Sequence, residues 1–319
     1  MLTDSQWDEY ASAGYLRLGP ILGELDLVKL RQRADELALG TVSNADIRLQ
    51  RDTGGAYDEL PAVTESFDEP TLQYRKVQGL ETDECFAPLV RHELFREICG
   101  HVYGHHTSQS IFRAMIMNKP ASLGTHLPWH QDGGDVWALD RDPLVTIWVA
   151  LDAANVANGC MEIVPGSHKR GLLSRFGSTV VTEEVERYCT PDDVIALPVE
   201  AGHGVLLHNW LLHRSGVNST DLPRRAFTAC FMDARTRSSL TGNLFPIVHG
   251  SVDDDPPLYL RQVREENATL RTSRASAEEY AWSLEAERVR LEAVLAQQQD
   301  ARRPPRGRLG FQRYGRDSN

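Results

Sequence analysis

Pro128-Trp129-His130-Gln131-Asp132 stands near the middle of a 319-residue chain, and its alternation sets the reading of what surrounds it. In an extended strand side chains alternate with period 2, so His130 and Asp132 share one side and Trp129 and Gln131 the other. Short apolar runs lie before and after it, at 111–117, 145–151, 161–164, 194–197, 204–207 and 226–232, separated by Gly, Pro, Asn and Asp. Many short strands at such spacing predict a β-sandwich or jelly-roll. The expected fold class is mainly β with flanking helices: a double-stranded β-helix (jelly-roll, cupin-like) core over about 108–240.

The front of the chain reads differently. Thr3 or Asp4 can cap a helix to about Ser12 that Gly14 ends, and Tyr15 to Leu18 alternates like a strand. An amphipathic helix follows over about Leu25 to Leu39, with Leu27, Leu30, Ala34 and Leu37 as its apolar stripe and Gly40 as its stop. Residues 41–70, polar and rich in Asp and Gly, read as a long loop or lid. Strand character resumes at 73–78, and 86–103 reads as helical. These helices are expected to cover one outer face of the β core. After Asp255-Pro256-Pro257, residues 276–299 carry Tyr280, Leu284, Leu291 and Val294 near heptad spacing. Such a helix could pair with another chain or dock on its own domain. The arginine-rich end from 301 is expected to be disordered.

Composition narrows the class. The apolar and charged fractions, 41% and 25%, are those of a soluble globular protein. A net charge of -11 argues against a nucleic-acid binder or a polybasic membrane-surface protein. Only Lys29, Lys76, Lys119 and Lys169 are lysines among 34 basic residues, which makes each worth inspecting. Cys85, Cys99, Cys160, Cys189 and Cys230 form no CxxC pair, as expected for free thiols in a reducing compartment. With no basic region leading into an apolar run at the start and no long apolar stretch, a cytoplasmic location is expected.

An imidazole and a carboxylate on one side of a strand lie within reach of one metal ion. A second imidazole from farther along would complete the 2-His-1-carboxylate arrangement that holds non-haem Fe(II) with open positions. Three histidines are candidates. His203 sits in a turn before a strand and reads as structural, while His208 and His213, five apart, would face opposite sides of one strand. His213 ends an apolar run and leads into the polar turn 214–219, the context of a ligand at a pocket mouth. His126 and His130 have the i, i+4 spacing of a zinc helix, but Gly124 and Pro128 disfavour a helix there. His126 therefore reads as a loop residue near the pocket's opening, and His105-His106 lacks a partner at useful spacing. Arg224 and Arg225 open the strand 226–232 and should face opposite sides, one inward and one to solvent. An inward arginine is costly unless it meets an anion, and its planar fork suits a carboxylate.

Taken together, Met117-Asn118-Lys119-Pro120, His130-Gln131-Asp132, Asn158 to Lys169, His213 to Ser219 and Arg224-Arg225-Ala226 carry a resemblance to the phytanoyl-CoA dioxygenase family of Fe(II)- and 2-oxoglutarate-dependent oxygenases. It spans most of residues 1 to 240. The resemblance implies that His130, Asp132 and His213 bind iron and that Arg224, with Ser215 nearby, holds the distal 2-oxoglutarate carboxylate. By the same matching Lys76, Met115, Gln131 and Trp148 line the cosubstrate pocket, although Trp148 and Met115 also read as plain core residues. Halogenating relatives replace the carboxylate ligand with a small residue, so Asp132 favours oxygenation. The implied cofactors are Fe(II), 2-oxoglutarate as cosubstrate and O2. Residues 1–255 then form the dioxygenase domain, 256–300 a helical extension and 301–319 a basic tail.

The expected substrate is a small molecule. Segment 45–60, the Asp135-Val136-Trp137 turn and the insertion 172–190 are candidates to contact it, with Trp137 able to stack on a sugar or ring face. No basic pocket for a CoA phosphate chain is evident. The tail's similarity to those of saccharide-antibiotic clusters points to a sugar-containing natural product, oxidised by hydroxylation or ring closure such as orthoester formation. Hydroxylation of another small metabolite, a non-catalytic jelly-roll scaffold and a metal-dependent isomerase or hydrolase are the competing readings.

Overall fold

The computed structural model describes residues 1–61, 63, 69–174 and 176–250; the readings for 256–300 and 301–319 lie outside the described residues. Among the described residues thirteen strands run β1 Tyr15–Pro20, β2 Arg48–Arg51, β3 Tyr74–Gln78, β4 Gln109–Lys119, β5 Leu127–Gln131, β6 Val145–Ala150, β7 Met161–Ile163, β8 Ser178–Thr179, β9 Ile195–Leu197, β10 His203–His208, β11 His213–Ser215, β12 Arg224–Asp233 and β13 Ile247–His249. They form two antiparallel sheets. The larger is ordered β1-β10-β6-β12-β4-β3-β2, with β13 also on β4, and the smaller β8-β5-β11-β7-β9. Two sheets of this kind are the jelly-roll that the spacing of apolar runs predicts.

The larger sheet is covered on both faces, which explains its sequence texture. All ten residues of β12 and all six of β6 are buried, so these strands read as continuous apolar runs. On the outer face, Ile116, Ile147, Val149, Phe227, Ala229 and Phe231 pack under α1 Asp4–Ala13, α2 Glu24–Leu39, the short α3 Ala87–Val90 and α4 Glu93–Tyr103. The α2 stripe Leu27, Leu30, Ala34 and Leu37 is buried there as its spacing predicts. Thr3 caps α1 with a full capping box. On the inner face, Trp148, Ala150, Val205, Leu207 and Ala226 meet Met161, Ile163 and Leu197 of the smaller sheet. The smaller sheet's own outer face is closed by the insertion that carries α5 Thr182–Tyr188, packed on Trp129, Val164, Val180 and Leu212.

Two local expectations change. Residues 41–70 are not loop throughout: β2 adds an edge strand to the larger sheet, pairing Leu49 with Val77 and Gln50 with Lys76. Only Leu49 is apolar in this strand, because Gln50 buries a polar side chain hydrogen-bonded to Arg75 and to the Pro61 carbonyl. The helical stretch 86–103 is two helices, broken at Arg91-His92, where the His92 ring accepts the Leu94 N–H and caps α4.

Candidate metal centre

His130 and His213 are direct cross-strand partners on β5 and β11, which brings together residues 83 positions apart in sequence. Their rings lie 4.0 Å apart between centroids. Asp132 follows just past the end of β5, held there by its backbone N–H donating to the Asn209 carbonyl at 2.8 Å. One ligand atom from each of the three residues fits within 4.8 Å of the others. The next turn depends on glycine: a Cβ at Gly177, whose φ is +87°, would stand 1.9 Å from the Gly133 carbonyl oxygen, so only glycine lets the insertion lie against the metal loop.

The donor set suits a divalent transition metal. Nδ1 of His130 lies 2.9 Å from the Pro128 carbonyl and Nδ1 of His213 lies 2.9 Å from that of Leu211. Each Nδ1–H therefore donates to backbone, leaving both Nε2 lone pairs for a metal. Burial, then the neighbouring His213, pushes His130 down to about 3, so its ring is neutral. Burial raises the Asp132 carboxyl, but His213, Arg113, His130 and Lys76 outweigh it and hold the group below its ordinary range. Two imidazoles with their Nε2 atoms free of backbone partners and one carboxylate on one side of an ion are the facial arrangement that suits non-haem Fe(II).

The inner face of the larger sheet supplies the rest of the pocket. Along β4, Arg113, Met115, Met117 and Lys119 alternate inward, opposite Cys230, Thr228, Ala226 and Arg224 of β12. The small residues of β12 leave a trough ending at Arg224. Arg224 is 3% exposed, and its guanidinium donates to the Gly159 carbonyl at 2.7 Å and lies 5.9 Å from the Trp148 ring centroid; its Nε has no partner. Burial depresses it to about 10. A buried cation without a carboxylate is a site shaped for an anion. Arg225 faces the other way, but not to solvent as sequence alone suggests. It is buried on the helix side, paired with Asp152 and Asp35, each at 2.8 Å.

Met115, Trp148 and Ser215 are buried around this trough, and Lys76, opposite Met117, acts electrostatically on Asp132. Gln131 is placed otherwise. Its side-chain N–H2 donates to the carbonyls of Gly171 and Trp210, and its oxygen accepts the Leu173 N–H, all on the insertion side of β5. His208 lies apart, its ring near His168 and Tyr10, and His126 stays in the loop before β5. Trp137 packs its ring against Phe112 and Arg113. The sequence reading missed Arg75, Arg113 and Asp52. Lys119, to which the sequence assigns no role, is buried beside Arg224 and donates to the Thr125 carbonyl at 2.8 Å.

Comparison with known proteins agrees with this geometry. The chain is 25% identical over 250 residues to a phytanoyl-CoA dioxygenase of Arabidopsis thaliana, covering 71% of this chain and 87% of that one. It is 25% identical over 237 residues to the peroxisomal phytanoyl-CoA dioxygenase of Bos taurus, covering 70% and 67%. A phytanoyl-CoA dioxygenase domain-containing protein of Danio rerio matches at 30% over 131 residues, 39% of this chain and 45% of that one. Among solved structures, the non-haem alpha-ketoglutarate-dependent carbocyclase SnoK from nogalamycin biosynthesis superposes with a TM-score of 0.57 at 22% identity, covering 74% and 86%. EctD from S. alaskensis with 2-oxoglutarate and 5-hydroxyectoine gives 0.56 at 18%, covering 80% and 82%. The family profile for phytanoyl-CoA dioxygenase (PhyH) matches residues 10–226, and the chain belongs to that family of oxygenases.

Proposed function

We propose that this chain is an Fe(II)- and 2-oxoglutarate-dependent oxygenase that oxidises an unactivated C–H of a sugar-containing natural product, by hydroxylation or by oxidative ring closure such as orthoester formation. The observation that carries the reaction class is the pairing of a His/His/Asp face with a buried arginine that has no carboxylate within hydrogen-bond reach. Support for natural-product tailoring comes from fold neighbours such as the carbocyclase SnoK.

When bound, the iron supplies O2 activation coupled to decarboxylation of 2-oxoglutarate to succinate and CO2. His130, His213 and Asp132 would hold it and leave open positions for cosubstrate and O2. Arg224, seated at the end of the trough on the face of Trp148, takes the distal carboxylate, and Ser215 lies at the same side of β11 as His213. Met115, Trp148 and Ala226 exclude water around it, which strengthens that ion pair. Lys76 adds the smallest part of the positive potential at Asp132, after His213, Arg113 and His130.

Two measurements test this. Anaerobic addition of Fe(II) and 2-oxoglutarate is expected to give a weak visible charge-transfer band; folded, metal-loaded protein without one would overturn the reaction class. A substrate screen for coupled succinate release, read by mass spectrometry, is expected to give hits among saccharide-containing compounds. Coupling confined to sugar-free metabolites would replace the substrate class while leaving the chemistry.

A further inference from the structure

Arg224 occupies one end of the inner trough, opposite Lys119. Arg113 lies six residues before Lys119 on the same strand and face, so the two ends are about 20 Å apart along β4. The metal triad sits at the Arg113 end, where the Arg113 guanidinium lies 3.7 Å from the Asp132 carboxylate. A cosubstrate reaching from the metal to Arg224 therefore extends away from Arg113. Arg113 is left on the other side of the centre, where the molecule to be oxidised must arrive.

The environment of Arg113 is built rather than incidental. Its guanidinium carbon stands 4.3 Å from the Trp137 ring centroid and 5.3 Å from that of Phe112, while those rings stack at 4.8 Å and Phe112 meets Phe245 edge-on at 5.9 Å. This aromatic bed fixes the plane of the guanidinium and lowers its hydration. The contact with Asp132 is too long for a hydrogen bond and engages a carboxylate whose charge is claimed by the metal. Arg113 Nε is buried without a partner, yet 20% of the side chain remains accessible. Arg75 acts electrostatically on His130 and is answered by Asp52, while Arg113 acts on Asp132. Fe(II) and the 2-oxoglutarate dianion together add no net charge.

We infer that Arg113 is the substrate-anchoring residue, receiving a carboxylate of the substrate in its planar fork and setting the neighbouring carbons beside the metal. The substrate class narrows to acidic small molecules, with carboxylate-bearing sugars the first candidates. This rests on the oxygenase reading of the site. It also withdraws Trp137 from the role of a sugar-stacking face, since the ring supports Arg113 and Phe112.

The test uses matched acid and primary-amide pairs, glucuronate with glucuronamide, galacturonate with galacturonamide and benzoate with benzamide. Their binding to the anaerobic Fe(II)–2-oxoglutarate complex is followed by ligand-observed NMR. At least one acid is expected to bind roughly tenfold more tightly than its amide, as a charge-assisted pair requires. Arg113→Gln should erase that ratio while keeping the visible Fe(II)–2-oxoglutarate band. Arg113→Lys, which keeps the charge and loses the fork, should retain part of it. The inference is overturned if no acid outbinds its amide in the wild type, or if the preference survives in Arg113→Gln. It is also overturned if Arg113→Gln folds but loses the band, which would make the residue a support for Asp132. Absence of the band in the wild type would instead sink the oxygenase reading; the acid-to-amide ratio would still report on Arg113.

Discussion

Adjacent arginines at the start of β12 have opposite jobs, and the difference is in what answers each charge. Arg225 is met by the part-buried Asp152 and the more exposed Asp35, so Arg225→Leu removes charge-assisted hydrogen bonds to both and should cost about 2 kcal/mol in unfolding free energy, measured by denaturant titration. Arg224 has only a carbonyl partner and an unpaired Nε, so Arg224→Leu should leave stability nearly unchanged. The same variant should raise the 2-oxoglutarate dissociation constant by 10-fold or more, as about 1.5–3 kcal/mol for a charged hydrogen bond implies. A variant pair with the two effects exchanged would reverse the assignment. Lys119 gives a pH-dependent test. Burial, then Arg224 and Arg75, lowers it from 10.5 to about 6, so between those values the unfolded chain binds more protons and stability rises with pH. Lys119→Met removes that slope. Its melting temperature relative to wild type should be most favourable near pH 6 and lose ground toward pH 10; a difference independent of pH would show that Lys119 is not neutralised by folding.

At the scale of elements, alternation made the metal strand legible: β5 does put His130 on the pocket side with Trp129 and Gln131 on the other. The period also explains why Arg224 and Arg225 could be separated but not assigned. Their partners, Asp35, Asp152 and Gly159, lie far along the chain and leave no local trace. The pairing of His213 with His130 is equally non-local, yet the end of an apolar run marked the strand that carries it. Edge strand β2 escaped notice because its burial is polar, and the α3–α4 break because a histidine ring caps a helix without a Ser, Thr, Asn or Asp signature. Gln131 is where motif matching and geometry diverge. Its three hydrogen bonds tie the insertion to β5, so Gln131→Ala should destabilise the fold by about 1–2 kcal/mol, from part-buried backbone groups left without their partner. Its effect on 2-oxoglutarate affinity should be under about threefold; a larger loss in folded protein would restore the cosubstrate role.

Across the whole molecule, the larger sheet is a wall between two cores: helices close one face and the pocket opens on the other. Strands from the front of the chain belong to that wall, since β1, β2 and β3 extend the sheet at both ends. The β core therefore reaches beyond 108–240, and the segments before it are part of the same fold. No helix among the described residues is long and apolar enough to cross a membrane. The three candidate metal ligands come from β5, the turn after it and β11, and Arg224 from β12, so a ligand held by all four would link both sheets. A ligand that binds only the folded state stabilises it by about 2.7 kcal/mol at a hundredfold excess over its dissociation constant. Anaerobic Fe(II) followed by 2-oxoglutarate should thus raise the melting temperature in two steps, and a chelator should reverse both. Asp132→Ala should abolish the metal step and, with it, the 2-oxoglutarate step that depends on the ion. Arg224→Leu should keep the first and lose the second. If 2-oxoglutarate stabilised the Asp132→Ala protein as strongly as the wild type, the cosubstrate would be held by arginine alone and the metal would not be part of its site.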